Sequence, residues 1–576
     1  MIYENLSQTK QMSVLEMAQQ IHDGDTVAIG GFWFVRLPMA LVEALIQRGV
    51  KDLTIVTQAS GYALERLIAA GAVKKVIYSF ISLDLFGLAP HFRKACQQGG
   101  VEFEEWTALQ MNTALEAAKM GMPCGILQPP EGSAFDQPCT HYTHIQEPFS
   151  HKKLGMVPAL RPDVCLLHAQ QADVDGNVAV QGAMGLDQLY LAASKKSFVT
   201  VEEIAKEGFA SDPRTHVFPH FLVSAVCHAP YGAYPSSCLP YYVTDYRAIL
   251  RQVRDGIEPS HLDQTQKTQL KQATKITTFC YAAHLSQLPA PDLDAPWSVD
   301  ELMICEMARH LKNDMVTTVG SNTPLALVAY LMAKGTHAPR CTLIPFCGLV
   351  DIPFGPVSLS YAEPMAFHDS KVWWGIEDLW QWIYQNSLTA VEFGGCAQMD
   401  QRGHINNSQI LDENGKLKVL LPGQAGLADI LNLHHNAYYY MTRQERRSLC
   451  EQVSFEGGAY CWITPSERAA HGLPQGKMKV ITDLCVWEMN LETKKLWVTQ
   501  IHPGVTREMI CEHTGFPVSF APDVTQTEIP TRRELEMIRK EIDPFAYRKL
   551  EFLSGQERWR WIEKILDQEY NAVFSK

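Results

Sequence analysis

The sequence has no Cys-x-x-Cys pair, no cluster of basic residues and no uninterrupted apolar run of the roughly 18–20 residues that a bilayer span requires. Each absence removes a class of function. Fifteen cysteines lie scattered between Cys96 and Cys511, a distribution that fits reduced thiols rather than a disulfide framework or a zinc ribbon. With 50 Lys and Arg against 63 Asp and Glu, the net charge of -13 argues against a nucleic-acid partner, because no basic surface is gathered to neutralise phosphates. Any anionic ligand must then be held by local dipoles. The start, Met1-Ile-Tyr-Glu-Asn5, lacks the basic residues and apolar run of a signal peptide, so a cytoplasmic location with no membrane partner is expected. Neither G-x-G-x-x-G nor G-x-x-x-x-G-K-(S/T) occurs.

What is present is a composition of 46% hydrophobic and 20% charged residues over 576 positions. That length exceeds one ordinary core, since cores stop growing near about 250–300 residues. Two large domains are expected. Val14–Ile21 has helical spacing, Thr26–Ile29 reads as a short strand, Gly30-Gly31 as a turn, and Leu37–Leu45 as a helix with proline near its first turn. A second strand, Leu53–Val56, completes a strand–helix–strand unit of the kind that builds parallel sheets.

The pattern returns in the second half as strand Met315–Val319, turn Gly320-Ser321-Asn322, helix Thr323–Leu331 and strand Cys341–Ile344. Leu37-Pro-Met-Ala-Leu-Val42 echoes Thr323-Pro-Leu-Ala-Leu-Val328. A second echo follows in the same order: Gln171-Ala-Asp173-Val-Asp-Gly176-Asn-Val178 against Gln398-Met-Asp400-Gln-Arg-Gly403-His-Ile405. Two ordered echoes imply a duplication at a spacing too long for a solenoid. The predicted architecture is α/β: two homologous, open, mainly parallel-sheet domains fused in one chain. The joint is the proline-rich stretch 285–297, which leaves domains at 1–284 and 298–576. The C-terminal stretch from Arg532 to Lys576 is expected to pack on the second domain.

Several motifs carry chemistry. The two glycine turns would offer backbone N–H groups and a helix dipole to an anion at the strand ends, or serve only as turns. Gly394-Gly395-Cys396-Ala397, after a strand at Thr389–Phe393, is a second donor candidate, because small residues let a thioester carbonyl approach the main chain. Asp173-Val-Asp-Gly176 reads as an Asx turn rather than a calcium loop, since its glycine falls at the fourth position and not the sixth. Cys139, His141 and His144 lack a matching partner pair, so no metal site is predicted. Trp373, Trp374, Trp380 and Trp382 read as helix core or interface.

On these turns and echoes the chain resembles a family I CoA-transferase with its α and β subunits fused. The resemblance covers nearly the whole sequence. In the first half it rests on Asp25-Thr-Val-Ala-Ile-Gly-Gly-Phe32, Gln170–Val178, Val199–Ile204 and Ala229–Cys238. The second half adds Gly320–Leu325, Gly395–Asp400, Lys479–Asp483, His502–Thr506 and Thr514-Gly-Phe516. It implies an acyl-CoA thioester as substrate, a carboxylic acid acceptor and no tightly bound cofactor. A homodimer is compatible with it. It also implies a glutamate that attacks the thioester, since a carboxylate can form the anhydride that exchanges with a thioester.

In the family that glutamate follows the strand after the Gly320-type turn, usually as Glu-Ser-Gly or Glu-Asn-Gly. This chain reads Thr342-Leu-Ile-Pro-Phe346-Cys347-Gly348, with Phe346 for the glutamate and Cys347 for the serine. The first half also resembles a glutamate-lacking branch, a hydrolase that opens the last steroid ring, in Lys74–Asp84 and Val101–Glu105. That branch implies Glu105 as general base, with Ala108 the alternative equivalent position and a surface glutamate the structural alternative. CoA transfer is the family's reaction. Hydrolysis or carbon–carbon cleavage by water is the rival, and a non-catalytic acyl-CoA-binding protein a third reading. The site is therefore expected at Glu105, Gly395, Cys396 and Ala397. Around it are expected Gly30, Gly31, Phe32, Gly320, Ser321, Asn322, Phe346, Cys347, Gly348 and Gln398, with Cys347 either a nucleophile or a small buried filler.

Overall fold

The computed structural model describes residues 10–574 except 60, 207, 210–214, 257–261, 286–287, 289, 321, 361–369 and 371. In the first half, the parallel part of a nine-stranded sheet consists of seven strands among the described residues: β1 (Thr26–Ile29), β2 (Leu53–Ala59), β3 (Val73–Phe80), β4 (Glu102–Glu105), β5 (Val164–Asp173), β6 (Lys196–Ala205) and β7 (Ala225–His228). They lie in the order β7-β6-β5-β1-β2-β3-β4, every neighbouring pair parallel. Val27 and Ala28 of central β1 are fully buried, as a parallel strand covered on both faces requires. Helix α1 (Met39–Arg48) follows β1, with Pro38 at its N-cap and Gly49 closing it at φ 74°.

The second half repeats the plan. β8 (Val316–Val319), α2 (Pro324–Gly335), β9 (Thr342–Pro345), β10 (Val391–Gly395), β11 (Asn436–Met441), β12 (Met478–Thr482), β13 (Cys485–Asn490), β14 (Lys495–Ile501) and β15 (Phe520–Gln526) form one sheet in the order β9-β8-β10-β11-β12-β13-β14-β15. The first five are parallel, and the chain then reverses twice through β13 and β14. The duplication extends to side-chain detail. Asp173 Oδ1 accepts from the N–H groups of Asp175 and Asn177, and Asp400 Oδ1 accepts from those of Arg402 and His404. Each Asx turn closes on a glycine in the left-handed region, Gly176 and Gly403.

The sheets fall on either side of the 285–297 stretch in sequence, but one apolar core runs through both halves. A loop of the second half is laid along the carboxyl ends of β3 and β4. Ile81 N–H donates to Pro422 O at 2.7 Å, Ala425 N–H to Ser79 O at 3.0 Å, and Ala108 N–H to Ala425 O at 2.8 Å. Asp429 then accepts from Thr107 Oγ1 and Leu109 N–H, so a carboxylate of one half caps a helix of the other.

The C-terminal segment departs from expectation, because it binds both halves rather than the second alone. Its helix α3 (Gly555–Phe574) pairs Asp567 with Arg247 and Glu563 with Arg254, and Trp559 Nε1 donates to Phe86 O. Opposite-charge pairs and an indole N–H find partners on the first half, and that settles the packing. Ahead of α3, the buried Arg548 guanidinium bonds Asp300 at 2.6 Å, Asp543 at 2.9 Å and Glu301 at 3.1 Å. Removing one member of a buried charge cluster leaves the others uncompensated, at a cost of about 3–5 kcal/mol. Arg548→Ala is therefore expected to lower unfolding stability by about that amount, measured by thermal or denaturant unfolding. A change within about 0.5 kcal/mol, the range of ordinary surface substitutions, would show that the cluster does not hold the segment.

Candidate active site

The carboxyl ends of β2, β3, β8, β9 and β10 converge on one cavity of about 330 Å³, lined there by Ala59, Phe80, Gly320, Phe346 and Gly395. Open α/β sheets bind ligands at such strand ends. The wall is mostly apolar, with Leu88, Trp380, Phe393, Leu421 and Leu427. Phe346 forms part of it: its ring packs on Trp380 at 5.4 Å and on Phe32 at 6.2 Å. The position that the resemblance assigns to a nucleophile thus borders the same cavity as Gly395, and it presents an aromatic ring.

The glycine turns are less open than their sequence suggests. Gly30 N–H donates to Leu166 O, Gly31 N–H to Asp187 Oδ1 and Phe32 N–H to Val35 O. All three donors of the first turn are consumed, so the expectation of free N–H groups at Gly30 and Gly31 gives way to a structural turn locked by the buried Arg36–Asp187 pair at 2.7 Å. Gly31 is required there by φ 80° and by Arg36 O, 2.7 Å from where a Cβ would lie. Phe32 reaches the cavity only from behind, through Phe346.

The second turn does reach the cavity. Gly320, Asn322 and Thr323 line it, and Ser321 lies outside the described residues. The N-terminus of α2 is nevertheless occupied, since Leu325 N–H donates to Glu551 Oε1 at 2.7 Å. An internal carboxylate sits where an anionic ligand was expected. Gly395, Cys396 and Ala397 also line the cavity, but Ala397 N–H is committed to Asn407 Oδ1 at 2.7 Å, while Asn407 Nδ2 donates to Gly395 O at 3.0 Å. Of the other residues singled out in sequence, Gln398 points away and accepts from Asn406 and Ser454. Cys347 is buried outside the lining with its thiol pushed up to about 12 by burial. Gly348 accepts from Trp374 N–H. Burial also raises the Cys396 thiol, so neither cysteine is a ready thiolate. His141 pairs with Glu104 and His144 with Asp136, which directs the two rings to separate carboxylates.

Three carboxylates gather about the cavity. Glu105, at the end of β4, accepts from Gln424 N–H at 2.7 Å and Ser408 Oγ at 2.9 Å. It stands behind Gln424 rather than in the lining. Glu392, on β10, lies in the lining. Its Oε2 accepts from Thr318 Oγ1 at 2.6 Å and Tyr384 O–H at 2.9 Å, and its Oε1 lies 3.1 Å from the space a side chain at Gly320 would fill. Any residue larger than glycine at 320 would crowd that oxygen. Glu551 completes the set, its Oε2 accepting from Tyr440 O–H at 2.6 Å. Burial raises all three, Glu105 and Glu551 to about 7, against the downward pull of their hydrogen bonds.

Sequence reasoning missed Glu392 and Glu551. Glu392 carries a readable signal, an acid in a central parallel strand whose other positions are apolar or glycine. Glu551 carries none, because the Tyr440 hydroxyl and the α2 N-terminus that hold it are remote in sequence. Trp380, read as helix core or interface, is buried in the core and also forms part of the cavity wall.

The chain belongs to the Coenzyme A transferase family, whose model matches residues 11–229 and again 301–513. Its relatives include both subunits of the 3-oxoadipate CoA-transferase of Pseudomonas knackmussii. One is 34% identical over 230 residues, covering 39% of this chain and 81% of its own length. The other is 34% identical over 257 residues, covering 42% of this chain and 92% of its own length. The cholesterol ring-cleaving hydrolase IpdA subunit of Mycobacterium tuberculosis is 31% identical over 247 residues, 41% of this chain and 84% of that relative. Acyl-CoA transferase YdiF of Escherichia coli O157:H7 shares the fold, with a TM-score of 0.65 and 16% identity over 91% of this chain and 96% of that one.

The raised carboxyls make stability depend on pH. Glu105 has an ordinary value of 4.5 and rises to about 7 in the fold, so the protonated form favours folding. Its contribution is complete below about 4.5 and is lost as pH rises through about 7. Glu105→Gln keeps an oxygen acceptor for Gln424 and Ser408 without the buried charge. It is expected to raise the thermal midpoint at pH 8 and to leave it unchanged at pH 4. A lower midpoint at pH 8 would show that the hydrogen bonds outweigh burial.

Proposed function

We propose that this chain is an acyl-CoA-cleaving enzyme that uses water, with the acyl group in the apolar cavity and the thioester at the Gly394–Ala397 turn. The observation that carries the reading is the pairing, in one cavity, of an aromatic ring at position 346 with a Glu392 carboxylate whose Oε1 faces the Gly320 turn. No carboxylate stands at 346 to form an anhydride. A carboxylate held by two donors through one oxygen, with the other directed at the cavity, suits a general base. Glu392 Oε1 takes a proton from water as the water oxygen adds to the thioester carbonyl. The Asn407 amide, which spends one hydrogen on Gly395 O, has a second to offer the developing oxyanion. Glu105 is assigned a positioning role, clamping Gln424 and Ser408 behind the wall.

The fused units at 1–284 and 298–576 would meet at this site, coenzyme A thioester being the substrate, with no tightly bound cofactor, in the cytoplasm. CoA transfer to a carboxylic acid is the second reading, supported by the family and by the two 3-oxoadipate CoA-transferase subunits. The hydrolytic reading is supported by the IpdA likeness as well as by Phe346.

An acyl-CoA panel that includes bulky apolar acyl groups, scored for thiol release with and without acetate, tests the choice. Glu392→Gln is expected to slow water-dependent release by about 10²–10⁴-fold, the usual worth of general base catalysis, and an unchanged rate would remove Glu392 from the reaction. Phe346→Glu is expected to create a glutamyl thioester at position 346 that borohydride or hydroxylamine traps during turnover. A folded, acyl-CoA-binding variant that yields no adduct would show that residue 346 does not meet the thioester carbonyl.

A further inference from the structure

Glu551 belongs to the C-terminal segment, beyond the last matched family residue at 513, yet it lines the cavity formed by the family's own strand ends. It also lines a smaller polar recess of about 170 Å³ that shares Leu88, Asn322 and Pro422 with the cavity. Its two oxygens are fixed separately, Oε1 by Leu325 N–H at the start of α2 and Oε2 by Tyr440 O–H. Tyr440 O–H in turn lies 3.9 Å from the space beside Gly395, on the turn where the thioester is placed. The segment is anchored for this by the buried Arg548 cluster three residues earlier. A helix cap alone would not require a carboxylate to stand open to a ligand-sized cavity. Two carboxyls held by different donor sets, Glu392 and Glu551, thus line one cavity.

We propose that Glu551 is a second catalytic residue, the acid that protonates the departing sulfur while Glu392 acts as base. This rests on the hydrolytic reading. The water oxygen bonds to the acyl carbon and one water proton passes to Glu392. The carbon–sulfur bond breaks, its electron pair goes to sulfur, and sulfur takes the proton of Glu551, giving a carboxylic acid and the free CoA thiol. The Glu392 proton returns to Glu551 through solvent before the next turnover. The charged and titratable groups around Glu551 are Tyr440 on β11, Arg558 on α3, Asp84 in the recess, and Glu392, Tyr384 and Cys396 on the cavity wall. Burial outweighs the two donors and Arg558 and lifts the Glu551 carboxyl to about 7, so the acid form is populated near neutral pH.

Glu551→Gln separates catalysis from capping, because glutamine keeps an acceptor for Leu325 N–H but carries no titrating proton. The expected result with the full chain is a fall in kcat of about 10²-fold or more, little change in KM, an unshifted thermal midpoint at pH 4, where Glu551 is protonated in both folded and unfolded chain, and loss of the alkaline limb that the wild type shows above about pH 7. A variant with wild-type kcat and wild-type pH profile overturns the assignment while leaving hydrolysis standing. A wild type that releases no thiol from any acyl-CoA overturns the hydrolytic reading and this inference with it. If Glu551→Gln does not fold, Tyr440→Phe decides: it removes a donor to the ionised carboxylate, so the alkaline limb must move to higher pH, and an unmoved limb overturns the assignment.

Discussion

Main-chain hydrogen bonds between residues 422–425 and the carboxyl ends of β3 and β4 are the constraint on which this molecule depends. A parallel sheet leaves its ligand-binding edge at the strand C-termini, and a duplicated chain has two such edges. The 422–425 loop brings them together, so that Ala59 and Phe80 from one half and Gly320, Phe346 and Gly395 from the other enclose one space. Glu105 reinforces the join by accepting from Gln424 N–H and Ser408 across the halves. Its burial follows from that position, and so does its raised pKa.

The same junction explains why ionisable groups around an apolar cavity are tolerated. Each of the three carboxylates is held by two hydrogen-bond donors, which offsets part of the cost of removing charge from water. The remaining cost appears as raised pKa values for all three, and Glu105 and Glu551, which reach about 7, change protonation where proton transfer is useful. Phe346 contributes the complementary property. Packed edge-on against Trp380 and tilted against Phe32, it keeps the strand end apolar where a nucleophile would need to ionise.

Much of this was legible in the sequence. The Leu37 and Thr323 echoes and the paired Asp-x-x-Gly turns report a duplication because both copies keep the same local hydrogen bonds, and β1, α1, β8, α2 and β9 fall within a few residues of their expected bounds. Phe346 could be assigned to one site with Gly320 and Gly395–Ala397 through the resemblance to family I CoA-transferases, and the three meet because the strand ends that carry them converge. What escaped was whatever depends on contacts remote in sequence. Gly30 and Gly31 read either as open donors or as a plain turn, and the residues that occupy their N–H groups, Asp187 and Leu166, lie more than 130 positions away. Glu551 reads as one acid among many in a charged tail, and gains its place only when Leu325 and Tyr440 are brought to it. The tail itself reads as a decoration of the second half, whereas Arg247 and Arg254 draw it onto the first.

In the proposed mechanism water, rather than a protein carboxylate, is the group that meets the thioester. A single turnover in H₂¹⁸O with enzyme in excess, followed by mass spectrometry of both the released acid and the intact protein, tests this directly. The mechanism predicts one ¹⁸O atom in the product acid and none in any glutamate of the chain. Label in a glutamate side chain would mean that an acyl anhydride formed and was hydrolysed, and would contradict it.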